Sequence, residues 1–150
     1  MRKIAIFGCL HKYQETTPIN PFFRQHICEL VNDHHVDVIL EEATGLPAKS
    51  CVEVLADTLG IPWKNVDLSR DERKLVADAA TSSLYDTFQD LNLHECREWV
   101  WAVRISATVV DSGLMVCGLC HVLSLAAKLL WINFDVEPHV YDPRRDEPCI

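Results

Sequence analysis

The tetrad Gly-X-X-His occurs twice in this 150-residue chain, as Gly8-Cys9-Leu10-His11 and as Gly118-Leu119-Cys120-His121, each time directly after a hydrophobic run. Glycine at a strand end lets the chain turn sharply and aims the following histidine over the sheet edge. A further hydrophobic run, Val36 to Leu40, stops at Glu41-Glu42, the pattern of a buried strand that delivers carboxylates at its carboxyl end. Two imidazoles with one or two carboxylates suit a divalent ion such as zinc, manganese or cobalt. An ion held with one open position lowers the pKa of bound water enough to make a nucleophile at neutral pH, so hydrolysis is the natural reaction class.

The elements that must position these groups are legible in the hydrophobic pattern. Lys3 to Gly8 reads as a first strand, and Asn20-Pro21 caps a helix over 21–33 with Phe23, Ile27, Leu30 and Val31 at helical spacing. Pro47 to Leu59 is helical in pattern, with Ala48, Cys51, Val52, Leu55 and Leu59 on one face and Gly60 and Pro62 as stop signals. Trp63 to Asp67 reads as a short strand. Ser69 and Glu72 have capping-box spacing for a helix from about residue 70. Residues 81–95 lack clear periodicity and read as a connection that holds at most a short helical turn. His94 to Val110 is helical, with a stripe of Cys96, Val100, Val103 and Ala107 widened by Trp99, Ala102 and Ser106, and with Arg97 and Arg104 together on another face. Leu114 to Cys117 is a buried strand, His121 to Trp131 an apolar helix closed by Asn133, and Val136 to Tyr141 an edge strand restricted by Pro138. This alternation predicts a three-layer α/β/α fold on a largely parallel or mixed sheet, in one domain spanning residues 1–150, with its site beyond the carboxyl ends of the strands.

Composition narrows the function classes. The chain is 49% hydrophobic, enough for one sizeable core, and its net charge of −8 with no basic cluster argues against binding nucleic acid. No stretch reads as a signal-peptide core or a membrane span, and seven irregularly spaced cysteines suit a reducing compartment, so a cytoplasmic protein without disulfides or membrane contact is expected. Cys117-Gly118-Leu119-Cys120-His121 matches the Cys-X-X-Cys-His haem-attachment motif, but covalent attachment normally requires export, and haem is disfavoured. A zinc site on Cys117 and Cys120 lacks a second ligand pair. Trp99, Trp101 and Trp131 read as core and packing residues, and His34-His35 as exposed or dipole-stabilising residues at a helix end.

The paired Gly-X-X-His motifs, the strand ending Val38-Ile39-Leu40-Glu41-Glu42, the Asp67 to Arg73 segment and the helix carrying Arg97 together resemble the TraB/GumN/Tiki superfamily over most of the chain. Erythromycin esterases and haem-binding ChaN proteins are its more distant relatives. That resemblance implies His11, Glu41 and His121 as site residues and Arg97 as the helix-borne arginine. The superfamily's activities span metal-dependent proteolysis, ester hydrolysis and haem binding. This chain is shorter than typical relatives around residues 81–95, where others carry more helical cover.

The expected enzyme is a metal-dependent hydrolase of peptide or ester bonds in a small-molecule or peptide substrate. In it His11, His121 and one glutamate, favoured as Glu41, hold a manganese, cobalt or zinc ion. The other glutamate takes a proton from water and Arg97 stabilises the oxyanion. Asp67 is a lesser candidate as ligand or orienting partner. Arg97 paired with Glu41, Glu42 or Glu98 would also serve as a structural ion pair. The competing expectation is a non-catalytic module that binds a small ligand, haem or a protein partner in the same pocket.

Overall fold

The computed structural model describes residues 1–15, 17–46, 49–81 and 89–145. Five strands, β1 (Lys3–Cys9), β2 (Val38–Glu41), β3 (Trp63–Asn65), β4 (Ser112–Gly118) and β5 (Asp135–Val140), pair in the order β3-β2-β4-β1-β5. All four pairings are parallel. Six α-helices and two 3₁₀ turns accompany them among the described residues: α1 (His11–Glu15), α2 (Pro21–Asp33), α3 (Cys51–Leu59), α4 (Arg70–Thr81), α5 (Gln89–Thr108), a 3₁₀ turn (Leu119–His121) running into α6 (Val122–Trp131), and a last 3₁₀ turn at Pro143–Arg145. No helix among the described residues is long and apolar enough to cross a membrane.

Because successive strand residues point to opposite faces, each strand feeds two separate cores. Ile4, Ile6, Val38, Leu40, Met115 and Cys117 pack on one side against α5 and α6 through Trp101, Ile105, Val122, Leu125 and Leu129. Ala5, Phe7, Ile39, Leu114 and Val116 pack on the other against α2 and α3 through Phe23, Ile27, Val52 and Leu55. The result is the expected three-layer α/β/α arrangement, with the sheet entirely parallel.

The local signals act as their chemistry dictates. The Asn20 side chain accepts from the Phe22 and Phe23 amides at the start of α2, Ser50 accepts from Glu53 at the start of α3, and Ser69 and Glu72 cap α4 reciprocally. Gly60 and Asn133 take left-handed conformations, φ 68° and 67°, just beyond α3 and α6. The helix expected over 47–59 is seen from Cys51; Pro47 and Ala48 lie outside the described residues, as do 82–88 of the expected connection. Its end at 89–95 is already helical, because α5 begins at Gln89.

The expected stripe of α5 is displaced. The buried face carries Arg97, Glu98, Trp101, Ala102 and Ile105, continued by Val109 just past the helix end, whereas Val103 is 65% exposed. Two charged residues, Arg97 and Glu98, occupy the inner face at its middle, so apolar spacing alone pointed to the wrong side. Trp101 is core as expected, but Trp131 is 77% exposed and meets the half-exposed Trp99 edge-on at the surface between α5 and α6.

Gly8 sits where β1 passes under the turn before α6. A Cβ there would overlap Val122 Cγ2 and lie 3.5 Å from the Leu119 Cα. Gly8→Ala is therefore expected to destabilise the protein by about 1–3 kcal/mol, the usual cost of overpacking a filled interior. Urea unfolding measures this, and an unchanged midpoint would show that β1 and α6 are not in contact.

Candidate functional site

The carboxyl ends of β1, β2 and β4 bring His11, Glu41, Glu42 and His121 to one edge of the sheet, but strand alternation separates the two glutamates. Glu41, the last residue of β2, follows Ile39 onto the α2/α3 face. Glu42 continues the ladder through its N–H to the Val116 carbonyl (3.0 Å) and falls on the α5/α6 face. This corrects the expectation that Glu41 is the metal-holding carboxylate. Glu41 is fully buried and both its oxygens are filled: Oε1 accepts from Gln14 Nε2 (2.8 Å), and Oε2 from Ser50 Oγ (2.5 Å) and Trp63 Nε1 (2.8 Å). Burial pushes its carboxyl above the ordinary value against the opposing pull of those three donors. Glu41 is equally unavailable as a base for water.

Glu42 is the carboxylate that meets the other expected residues. Its Oε1 accepts from Arg97 Nη2 at 2.7 Å and lies 3.9 Å from His11 Nε2 and 3.8 Å from His121 Nε2; its Oε2 accepts the Gly118 N–H at 2.9 Å. Arg97 comes from α5 and is itself anchored by Asp67, which accepts from Arg97 Nε (3.3 Å) and Nη2 (3.2 Å). Trp101 Nε1, the Leu68 amide and Arg73 also donate to Asp67, so this carboxylate holds the arginines in place rather than reaching a histidine. Arg104, one face with Arg97 as expected, ties α5 to the Val66 and Asp67 carbonyls and to Glu72.

Each histidine is oriented from behind. His11 Nδ1 lies 2.9 Å from Gln14 Oε1, and the Gln14 amide nitrogen donates to Glu41 and to the Glu42 carbonyl, so the amide oxygen faces the ring and Nδ1 must be the donor. His121 Nδ1 lies 2.7 Å from Glu98 Oε1, which also receives Lys128 and Ser124 on its other oxygen. Burial would push the Glu98 carboxyl up, but the hydrogen bonds from His121, Ser124 and Lys128 and the Lys128 charge outweigh it and hold it down at about 2. An ionised Glu98 fixes Nδ1 of His121 as a donor too. In the uncharged rings each Nε2 is then an acceptor, and both stand within 3.9 Å of the same Glu42 oxygen.

The glycines of the two motifs prove to be reciprocal spacers. Gly118 has φ −62°, which any residue can adopt, so the expected sharp turn is not what requires glycine. A Cβ there would stand 3.2 Å from His11 Nε2 and 3.4 Å from Glu42 Oε2. Gly118 thus makes room for the first motif's histidine, as Gly8 makes room for Leu119 and Val122 after the second motif's strand.

Above Glu42 opens a cavity of about 290 Å³ bordered by His11, Glu15, Thr44, Arg73 and Arg97. His121 lies beneath it, 2% exposed, between the rings of His94 and Trp101. Arg73 was not singled out by spacing. Among the described residues its buried Nε has no hydrogen-bond partner, and it borders the cavity while its Nη2 donates to Asp67 and the Thr44 carbonyl. The signals that led to it were the Asp67 to Arg73 segment of the resemblance and the Ser69–Glu72 cap, which starts α4 at the expected place. Cys117 is buried within β4, and burial followed by the nearby Glu42 charge raises its thiol above the ordinary value; Cys120 is raised for the same reasons. Neither thiol is poised as a thiolate.

No family model, curated protein or solved structure matches this chain.

The Glu98 carboxyl makes a testable contribution to stability. Its folded-state value, about 2, is below its ordinary value of 4.5, so the stabilisation is complete above pH 4.5 and disappears as pH falls toward 2. Relative to Glu98→Gln, the wild type is expected to lose stability across that window and not above it, as followed by urea unfolding at a series of pH values.

Proposed function

We propose that this protein is a divalent-metal-dependent hydrolase of ester or peptide bonds, with His11, Glu42 and His121 as the ion's ligands. The observation that carries this reading is the convergence of two oriented Nε2 atoms on one carboxylate oxygen at 3.8 and 3.9 Å. Those separations are too long for hydrogen bonds. Each is near the roughly 3.4 Å between ligands placed about 2.1 Å from a tetrahedral ion, while the two ring nitrogens stand more than 4.8 Å apart, so an ion binding both would draw the half-exposed His11 ring toward the buried His121. Two ring-nitrogen lone pairs near a carboxylate are unfavourable without positive charge beside them, which Arg97 supplies in part and an ion would complete. The hydrogen bonds behind the rings are of the kind that orient metal-bound histidines, from Glu98 directly and from Glu41 through Gln14.

A divalent ion held there supplies Lewis-acid activation of water and of a substrate carbonyl. The protein's own groups do the rest. Arg97, held by Asp67, and Arg73, with its unpartnered Nε, border the cavity where an oxyanion would develop. Glu41 is a positioning residue that fixes His11 through Gln14. The division of labour between two adjacent glutamates is replaced by one carboxylate at the site and one behind it.

One observation favours the alternative of a non-catalytic binding module. Arg97 already donates to Glu42 Oε1 at 2.7 Å, so a guanidinium supplies part of the charge an ion would bring.

Metal content decides between them, measured by elemental mass spectrometry on protein purified without chelators or a nickel column. The hydrolase reading expects about one equivalent that is lost in the His11→Ala/His121→Ala double variant and in Glu42→Gln, with ester or peptide hydrolysis lost in parallel. Glu41→Gln should weaken the ion roughly 10–100-fold without abolishing its binding. Protein that stays inactive and unchanged in stability with manganese, cobalt and zinc, and whose metal content ignores these substitutions, is the binding module.

A further inference from the structure

We propose a second transition-metal site, formed by His34, Glu137 and His139 in the notch between the end of α2 and the edge strand β5, that takes a zinc-like divalent ion. It shares no residue with the His11–Glu42–His121 site. Among the described residues, this is the one His/Cys/Asp/Glu group of three whose ligand atoms all lie within 4.8 Å of one another.

The backbone sets these ligands out for chelation. Glu137 and His139 are two apart on β5, so they share a face, and their partners on β1 are Ala5 and Phe7, which pack on the α2 side of the sheet. His34 ends α2 and is held from both sides: its amide donates to the Leu30 carbonyl (3.1 Å), and its carbonyl accepts from Ser112 Oγ (2.7 Å). His35 then takes φ 50° and carries the chain away toward β2, leaving the His34 ring facing β5.

The side chains meet without satisfying one another. Glu137 Oε1 lies 3.3 Å from His139 Nε2, and Glu137 Oε2 lies 3.7 Å from His34 Nε2, with the two rings edge-to-face at 5.7 Å. The His139 Nε2 atom is buried and has no hydrogen-bond partner among the described residues. A buried ring nitrogen without a partner is costly, and such a group calls for an explanation. One ion coordinated by both rings and the Glu137 carboxylate supplies it: the rings stand 3.3 and 3.7 Å from its two oxygens, and one ligand atom from each residue lies within 4.8 Å of the others, close to the roughly 3.4 Å expected around a tetrahedral centre.

The ligand set selects the metal. Two imidazoles and a carboxylate suit zinc, cobalt, nickel or copper, whereas magnesium and calcium require mostly oxygen. Glu137 is 61% exposed at its side chain, which leaves the remaining coordination position facing solvent. β5 pairs with β1 alone, so an ion shared between β5 and α2 would clamp this edge strand onto the helix layer.

The test is zinc titration by calorimetry of chelator-treated protein carrying His11→Ala and His121→Ala, so that heat from the other site is absent, alongside the same protein with Glu137→Gln or His34→Ala added. About one equivalent of zinc is expected with micromolar or tighter affinity, accompanied by a rise in thermal midpoint, and each added substitution should weaken it at least about tenfold. Cobalt should report the same site through visible absorption that disappears with those substitutions. Glu137→Gln preserves shape at a side chain that is mostly exposed, so it reads ligation and not folding. Zinc affinity unaffected by both Glu137→Gln and His34→Ala, or no zinc binding in the His11/His121 variant background, would overturn the proposal while leaving the His11–Glu42–His121 reading to its own metal analysis.

Discussion

One guanidinium underlies the organisation of the carboxyl edge. Arg97 projects from α5 and lies between Glu42 and Asp67, two carboxylates that the ends of β2 and β3 deliver to the same buried region. Burying either acid unpaired would cost several kcal/mol, and removing one partner of such a network leaves an uncompensated charge. With Arg73 and Trp101 also donating to Asp67, the arrangement is satisfied almost completely. It joins α4, α5 and the sheet at one point. The position of α5 over this edge, and with it Glu98 behind His121, follows from that pairing.

The two histidines reach the same carboxylate by different supports. His121 is held by a direct carboxylate, itself neutralised by Lys128, and is buried. His11 is held by an amide that relays Glu41 from the opposite face of the sheet, and it stays half-exposed at the mouth of the cavity. One ring is thus enclosed while the other borders solvent, an arrangement that suits the proposed site, in which an ion would be held and a substrate admitted. The reciprocal glycines keep the adjacent ends of β1 and β4 close enough for both rings to share Glu42.

Much of this was legible in residue types and spacing. The strand-ending Gly-X-X-His tetrads, the acidic pair after β2 and an arginine on α5 do converge, because parallel strands separated by helices place all their carboxyl ends on one edge. Asn20, Ser69 and Gly60 act through local hydrogen bonds or local φ, and those are short-range properties. The buried stripe of α5 was not legible, because Arg97 and Glu98 stand on its inner face and their partners come from β2, β3 and α6. Nor was the meeting of His34 with Glu137 and His139, residues about a hundred positions apart.

By itself, then, the sequence determined the alternation of strands and helices, the caps, and which strand ends bear chemistry, all of which depend on periodicity and neighbouring residues. Tertiary structure alone decided which glutamate enters the site. Adjacent residues at a strand end point to opposite faces, and the identity of each face depends on which helices cover it. Glu41 therefore became a buried support and Glu42 the partner of both histidines, a difference that two identical side chains in succession could not announce.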